Sequence, residues 1–118
     1  MKKQDTPAGK IGLQFAKALV AGDFQSAHSM LSSQLKETLT PDQLEKEYRE
    51  MTSTPEPWIA SQISLFEEED PEDDGYMTWA YVSLVGDTED GTYCEAVTVT
   101  LENENGKDVI RKVEWGRP

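Results

Sequence analysis

The hydrophobic period changes once along this chain, and it changes at a pair of prolines. Before Pro55 and Pro57 the apolar residues recur every three to four positions, and after Trp58 they alternate. A helix places its neighbours on one face with a period of about 3.6, and a strand with a period of 2. The chain therefore has to be a helical half followed by a sheet half. Helices segregated from an antiparallel meander define an α+β domain. At 118 residues there is material for one core, so the expected unit is a single domain over 1–118, with a helical part at 6–52 and a sheet part at 58–116.

Three helices are expected. Ile11, Phe15, Ala18 and Leu19 make the stripe of the first, which Gly22 terminates. Asp23 can cap the next, whose stripe is Phe24, Ala27, Leu31 and Leu35. Thr40-Pro41-Asp42-Gln43 reads as a third helix start, with Thr40 as cap, Pro41 in the first turn and Gln43 completing a capping box. Leu44, Tyr48 and Met51 form its apolar face.

Four strands follow. Ile59, Ser61, Ile63 and Leu65 lie on one face of the first. Tyr76 to Val85 is apolar on both faces, as in a central strand. Tyr93, Val97, Val99 and Leu101 share a face of the third strand, and Val109, Val113 and Trp115 a face of the fourth. Asp90-Gly91 and Asn105-Gly106 mark the hairpin turns. The helices are expected to cover one face of the four-stranded sheet.

Charge narrows the function. The net charge is −12, and it is unevenly placed: Met1 to Phe66 carries 7 basic and 8 acidic residues, Glu67 to Pro118 carries 4 and 15. This excludes the basic footprint of a nucleic-acid binder and repels anionic lipid. No apolar run approaches the about 20 residues of a membrane helix. The field favours a basic partner. Glu67, Glu68, Glu69, Asp70, Glu72, Asp73 and Asp74 form one acidic loop, able to speed association with such a protein. Asp70, Glu72, Asp74 and Gly75 have the spacing that opens a calcium loop, but Tyr81 stands where a bidentate Glu is needed, so no metal is expected.

Candidate chemistry is sparse. His28 is the only histidine and lies on a helix edge, where packing is the simpler role than general base. Cys94 is the only cysteine, so no internal disulfide forms and a reducing compartment fits. Glu95, Glu102 and Glu114 are expected on the solvated side of the strands. Nothing after Met1-Lys2-Lys3 resembles the apolar part of a signal peptide. The default expectation is a cytoplasmic protein, the alternative an exported one whose leader has been removed. No cofactor is expected.

The stretch from Phe15 to Met51, with the helix–Gly22-Asp23-Phe24–helix step and the run from Ser33 to Leu44, resembles the opening of the nuclear transport factor 2-like superfamily, which includes ketosteroid isomerase-like and SnoaL-like proteins. The likeness is nearest to small bacterial members of unknown function. Val113-Glu114-Trp115-Gly116 is similar to that fold's last strand. The resemblance implies a cone-shaped, cystatin-like domain whose curved sheet wraps the first helix and leaves an apolar pocket. Phe15, Tyr48, Trp79, Tyr81 and Trp115 are its candidate lining residues, though alternation leaves open whether Trp79 or Trp115 points inward. It also implies that two copies can pair through their sheets. Fold does not fix function in such a group. The expectation is a non-catalytic binding module that holds a basic protein, an immunity protein against a toxin being the sharpest version. The alternative is a pocket protein for a small apolar ligand, or an isomerase- or hydratase-like enzyme.

Overall fold

Ala8, Gly12, Phe15, Ala16 and Leu19 form the buried stripe of α1 (Pro7–Ala21), a helix that lies directly on the sheet. The computed structural model describes residues 7–53, 57–65 and 79–116. The further helices are α2 (Phe24–Ser29), α3 (Ser33–Thr38) and α4 (Pro41–Met51). The strands are β1 (Gln62–Leu65), β2 (Trp79–Thr88), β3 (Gly91–Glu104) and β4 (Lys107–Trp115), joined antiparallel in the order β1-β2-β3-β4. The α+β class is as expected: N-terminal helices packed against a four-stranded antiparallel sheet.

Gly12 sets the distance between the layers. A Cβ added there would stand 2.8 Å from the Ala80 Cβ of β2 and 3.4 Å from a Val82 methyl. The helix backbone therefore sits closer to the sheet than any side chain at that position permits. Phe15 and Leu19 fill the space further along α1, with Val82, Leu84, Val97 and Val99 beneath, all fully buried.

The helical half departs from expectation at one place. The expected second helix is two, α2 and α3, broken at Met30–Ser32. There the Ile110 N–H donates to the Met30 carbonyl (2.9 Å) and the Ser32 N–H to the Ile110 carbonyl (2.7 Å), a one-residue parallel bridge between Leu31 and Ile110. The buried Ser32 then turns its hydroxyl to the Leu35 N–H and caps α3. Serine's ability to satisfy the backbone locally makes such a break cheap. Asp23 and Thr40 cap α2 and α4 as expected. The Gln43 side chain does not close a capping box, because its amide donates to Glu47 at 2.8 Å.

The strands shift in phase at two points. Trp58 and Ala60 are buried while Ile59 is 78% exposed, so Ile59 does not share a face with Ile63 and Leu65. The reason is Gly86: a Cβ there would overlap the Ile59 carbonyl oxygen and lie 2.8 Å from Trp58 Cε3. Trp58 thus lies over the glycine and stacks on Tyr93 opposite it, with ring centroids 6.1 Å apart, ahead of the strand rather than within it. On β4, Thr100 pairs with Lys112 but Leu101 with Ile110, leaving Arg111 as the extra residue of a bulge. Ile110, Val113 and Trp115 therefore face the core, and Val109 faces the other way, opposite Glu102. The first hairpin turns at Glu89–Asp90, one residue before the expected pair. The second turns at Asn105-Gly106, with φ of 55° and 85°, as a two-residue hairpin requires. Tyr76 to Thr78 lie outside the described residues.

Two substitutions test this packing. Leu31→Ala, at a site 1% exposed, is expected to cost about 2–5 kcal/mol in denaturant unfolding; a change within about 0.5 kcal/mol would show that the bridge to β4 buries nothing. Gly12→Ala improves helix propensity by about 1 kcal/mol, but overpacking against Ala80 costs about 1–3 kcal/mol, so a net loss is expected. A gain in stability would mean that α1 can lift off the sheet freely.

Candidate functional site

The sheet presents two faces of different chemistry. Toward the helices, β2 contributes Ala80, Val82 and Leu84, and β4 contributes Ile110, Val113 and Trp115. On the opposite face stand Trp79, Tyr81, Ser83 and Val85 of β2, paired with Thr100, Thr98, Ala96 and Cys94 of β3. The five candidate pocket residues therefore do not converge. Phe15 is fully buried under α1, Tyr48 and Trp115 meet at one end of the core, and Trp79 and Tyr81 are on the far face, Trp79 being 39% exposed.

Tyr48, on α4, joins the two halves. Its ring meets Phe24 of α2 at 6.1 Å and Trp115 of β4 at 6.5 Å, both tilted. The Trp115 indole N–H donates to Glu47 Oε1 at 2.6 Å, and the other Glu47 oxygen accepts from Gln43. Arg49 lies over the Phe24 ring at 5.6 Å and pairs with Glu45 at 2.8 Å. This end of the molecule is an aromatic cluster pinned by a carboxylate. Burial pushes the Tyr48 phenol above its ordinary range, and the Arg49 charge pulls it partly back.

Other candidates have structural occupations. Asp23 accepts from the Ser26 hydroxyl at 2.7 Å and the Ser26 N–H at 3.2 Å, which holds its carboxyl below the usual range and marks it as a cap. His28 is half-buried, with Nε2 3.4 Å from the Lys36 carbonyl oxygen. Glu104 accepts from the Ser33 hydroxyl at 2.8 Å, tying the β3–β4 hairpin to the start of α3. Cys94 is exposed. Among the described residues no group of three or more His, Cys, Asp or Glu is placed to hold a metal. No described helix is long and apolar enough to cross a membrane. The acidic residues Glu67, Glu68, Glu69, Asp70, Glu72, Asp73 and Asp74 lie outside the described residues.

One residue departs from the sequence reading in a way that bears on binding. Glu95 pairs with Leu84 and stands between Tyr93 and Val97, so its side chain leaves the strand on the core-facing side rather than the solvated one. It is half-buried, and no hydrogen bond or ion pair engages it among the described residues. Tyr93-x-Glu95-x-Val97 carries the signal, since all three share a parity. The alternation pointed there, but the residue's charge argued for the opposite face.

In comparison with known proteins, the chain matches no protein-family model, no curated protein and no solved structure.

The Tyr48 shift has a consequence for stability. The folded state holds the phenolic proton more tightly than the unfolded chain, so this contribution is complete below pH 10.0 and is lost as pH rises through the raised folded value. Tyr48→Phe should flatten the alkaline fall in melting temperature above that pH and leave the acid limb alone. An unchanged alkaline limb would show that the phenol ionises as freely in the fold as outside it.

Proposed function

We propose that this chain is a non-catalytic binding module of nuclear transport factor 2-like architecture that holds a basic partner protein, an immunity protein against a toxin being its sharpest form. The observation that carries the reading is the division of labour in the fold. Apolar side chains such as Phe15, Leu19, Val82, Leu84 and Val97 fill the space between helices and sheet with no exposure at all. The polar groups beside them, Glu47 and Ser32, are occupied with the indole, the amide and the backbone. Recognition is left to the surface, and the stretch from Glu67 to Pro118 carries a surplus of eleven negative charges in its sequence. Such a field raises association rates with a cation-rich partner and sets partner choice. The β2–β3 turn adds Asp87, Glu89 and Asp90, all exposed, to one end of the sheet.

The small-molecule reading has one observation in its favour, the half-buried Glu95 on the core-facing side, where a pocket enzyme would need a carboxylate. The two readings separate in one experiment. The protein is used for affinity capture from its source lysate at low salt, beside a variant neutralised at Asp70, Glu72, Asp73 and Asp74. A basic protein recovered by the wild type, whose purified form associates more slowly with the variant, is the expected result. An equal on-rate at low salt would remove the acidic loop from the interface. Retention of a small molecule with no protein would replace the first reading by the second.

A further inference from the structure

Both asparagines of the chain lie in the β3–β4 hairpin, and one of them precedes a glycine. Asn105 and Gly106 are both exposed at the turn. In such a pair the Gly106 backbone nitrogen can attack the side-chain carbonyl carbon of Asn105. A new N–C bond closes a five-membered succinimide, and the bond from that carbon to the side-chain nitrogen breaks. The Gly106 proton passes to a solvent base, and the departing nitrogen takes one from water and leaves as ammonia. Water then opens the ring at either carbonyl, leaving aspartate or isoaspartate at 105. Glycine favours the attack because it has no side chain to shield its nitrogen. Asn103 precedes Glu104, whose side chain does shield it.

The fold opposes this reactivity in two ways. The turn is closed by the Glu104–Lys107 pair, with φ fixed at 55° for Asn105 and 85° for Gly106. Ring closure needs the Asn105 backbone to rotate until its side-chain carbon meets the following nitrogen, and a two-residue turn held by a pair on each strand lacks that freedom. The nitrogen is also occupied: the Gly106 N–H donates to Asn103 Oδ1 at 3.1 Å. The nitrogen becomes a nucleophile only by giving up this proton. An amide oxygen is too weak a base to take it, so the bond ties the N–H and does not activate it. Asn103 is exposed, so its side chain is free of any packing duty that would compete with this one. The turn also carries a tertiary contact, since Glu104 accepts from the Ser33 hydroxyl at 2.8 Å. Isoaspartate at 105 would insert a further carbon into the main chain beside it.

We propose that Asn105 is a site of spontaneous deamidation and isomerisation which the folded hairpin holds back, with Asn103 as the residue that guards the Gly106 nitrogen. The unfolded chain loses both the fixed turn and the guard, so the reaction is fast there and slow in the native protein.

The test follows conversion at position 105 in the full chain, folded and in guanidinium chloride, in one mildly alkaline buffer. Peptide mass mapping locates the change, and chromatography separates the aspartate and isoaspartate peptides. Conversion of the unfolded chain at Asn105, at least about tenfold faster than in the folded protein, is expected. No conversion in the unfolded chain would overturn the site, and equal rates in the two states would overturn the protection. Asn103→Ala should speed the folded protein about threefold to tenfold and leave the unfolded rate alone. Asn103→Asp keeps a side-chain oxygen to accept the N–H, so its ratio of unfolded to folded rates should stay at or above that of the wild type. An unchanged folded rate in Asn103→Ala, or a ratio in Asn103→Asp as low as in Asn103→Ala, would overturn the guard. Gly12→Ala, which acts through the contact of α1 with β2, separates the guard from general loosening. Its folded rate should match the wild type; a rise as large as that of Asn103→Ala would show that unfolding sets the rate, and would overturn the guard as well.

Discussion

The close approach of α1 to β2 at Gly12 and Ala80 governs the rest of the structure. With the helix backbone this near, the space between the layers is narrow enough for single side chains to span it. Phe15 and Leu19 from above and Val82, Leu84, Val97 and Val99 from below close it without exposure. Small residues recur along the seam, with Ala8 and Ala16 a turn either side of Gly12. A larger residue at Gly12 would separate the layers and open a void that Phe15 alone does not fill. The close packing of the buried residues between helix and sheet is therefore a consequence of one missing Cβ.

The β4 edge of the sheet is managed by two irregularities that work together. The bulge at Arg111 turns Ile110 toward the core, and the backbone of Ile110 then receives Met30 and Ser32. An edge strand otherwise offers unpaired N–H and C=O groups to other chains. Here a piece of the helical half occupies part of that edge, and Arg111, Lys112 and Glu114 place charges along the remainder. The helix break at Met30–Ser32 and the strand bulge at Arg111 are two sides of one contact, with the Glu104–Ser33 hydrogen bond securing it from the hairpin.

Much of this was legible in the residues, and the failures share a cause. Helix caps, the Asn105-Gly106 turn and the change of period depend on local chemistry, and they appear where the sequence puts them. What could not be read were features set by partners distant in the chain. Gly12 reads as a weak point in a helix until Ala80 is opposite it. Gly86 reads as a flaw in a strand until Trp58 lies over it. Val109 and Ile110 exchange faces because of one extra residue, which periodicity cannot register. The candidate site suffered most. Its aromatic residues were identifiable, but the face of each depends on strand register, which separates Trp79 and Tyr81 from Trp115. Glu95 was misassigned because charge was weighed above parity.

The electrostatics of the unbound chain follow from the same placement. The described ion pairs are Arg49 with Glu45 and Lys112 with Glu114, both largely exposed, and pairs of that kind contribute little. The fifteen carboxylates and four cations of the second half leave a strongly negative balance, and the described ion pairs offset little of its repulsion. On the proposed reading, a basic partner would relieve that repulsion as it binds. Surface charge of this kind is screened over about 8 Å at physiological ionic strength, which makes it effective for steering and weak for holding. Holding needs a contact where water is displaced. On the proposed reading, long-range charge and a dehydrated contact would be complementary demands on one surface, the first governing how fast a partner arrives and the second how long it stays.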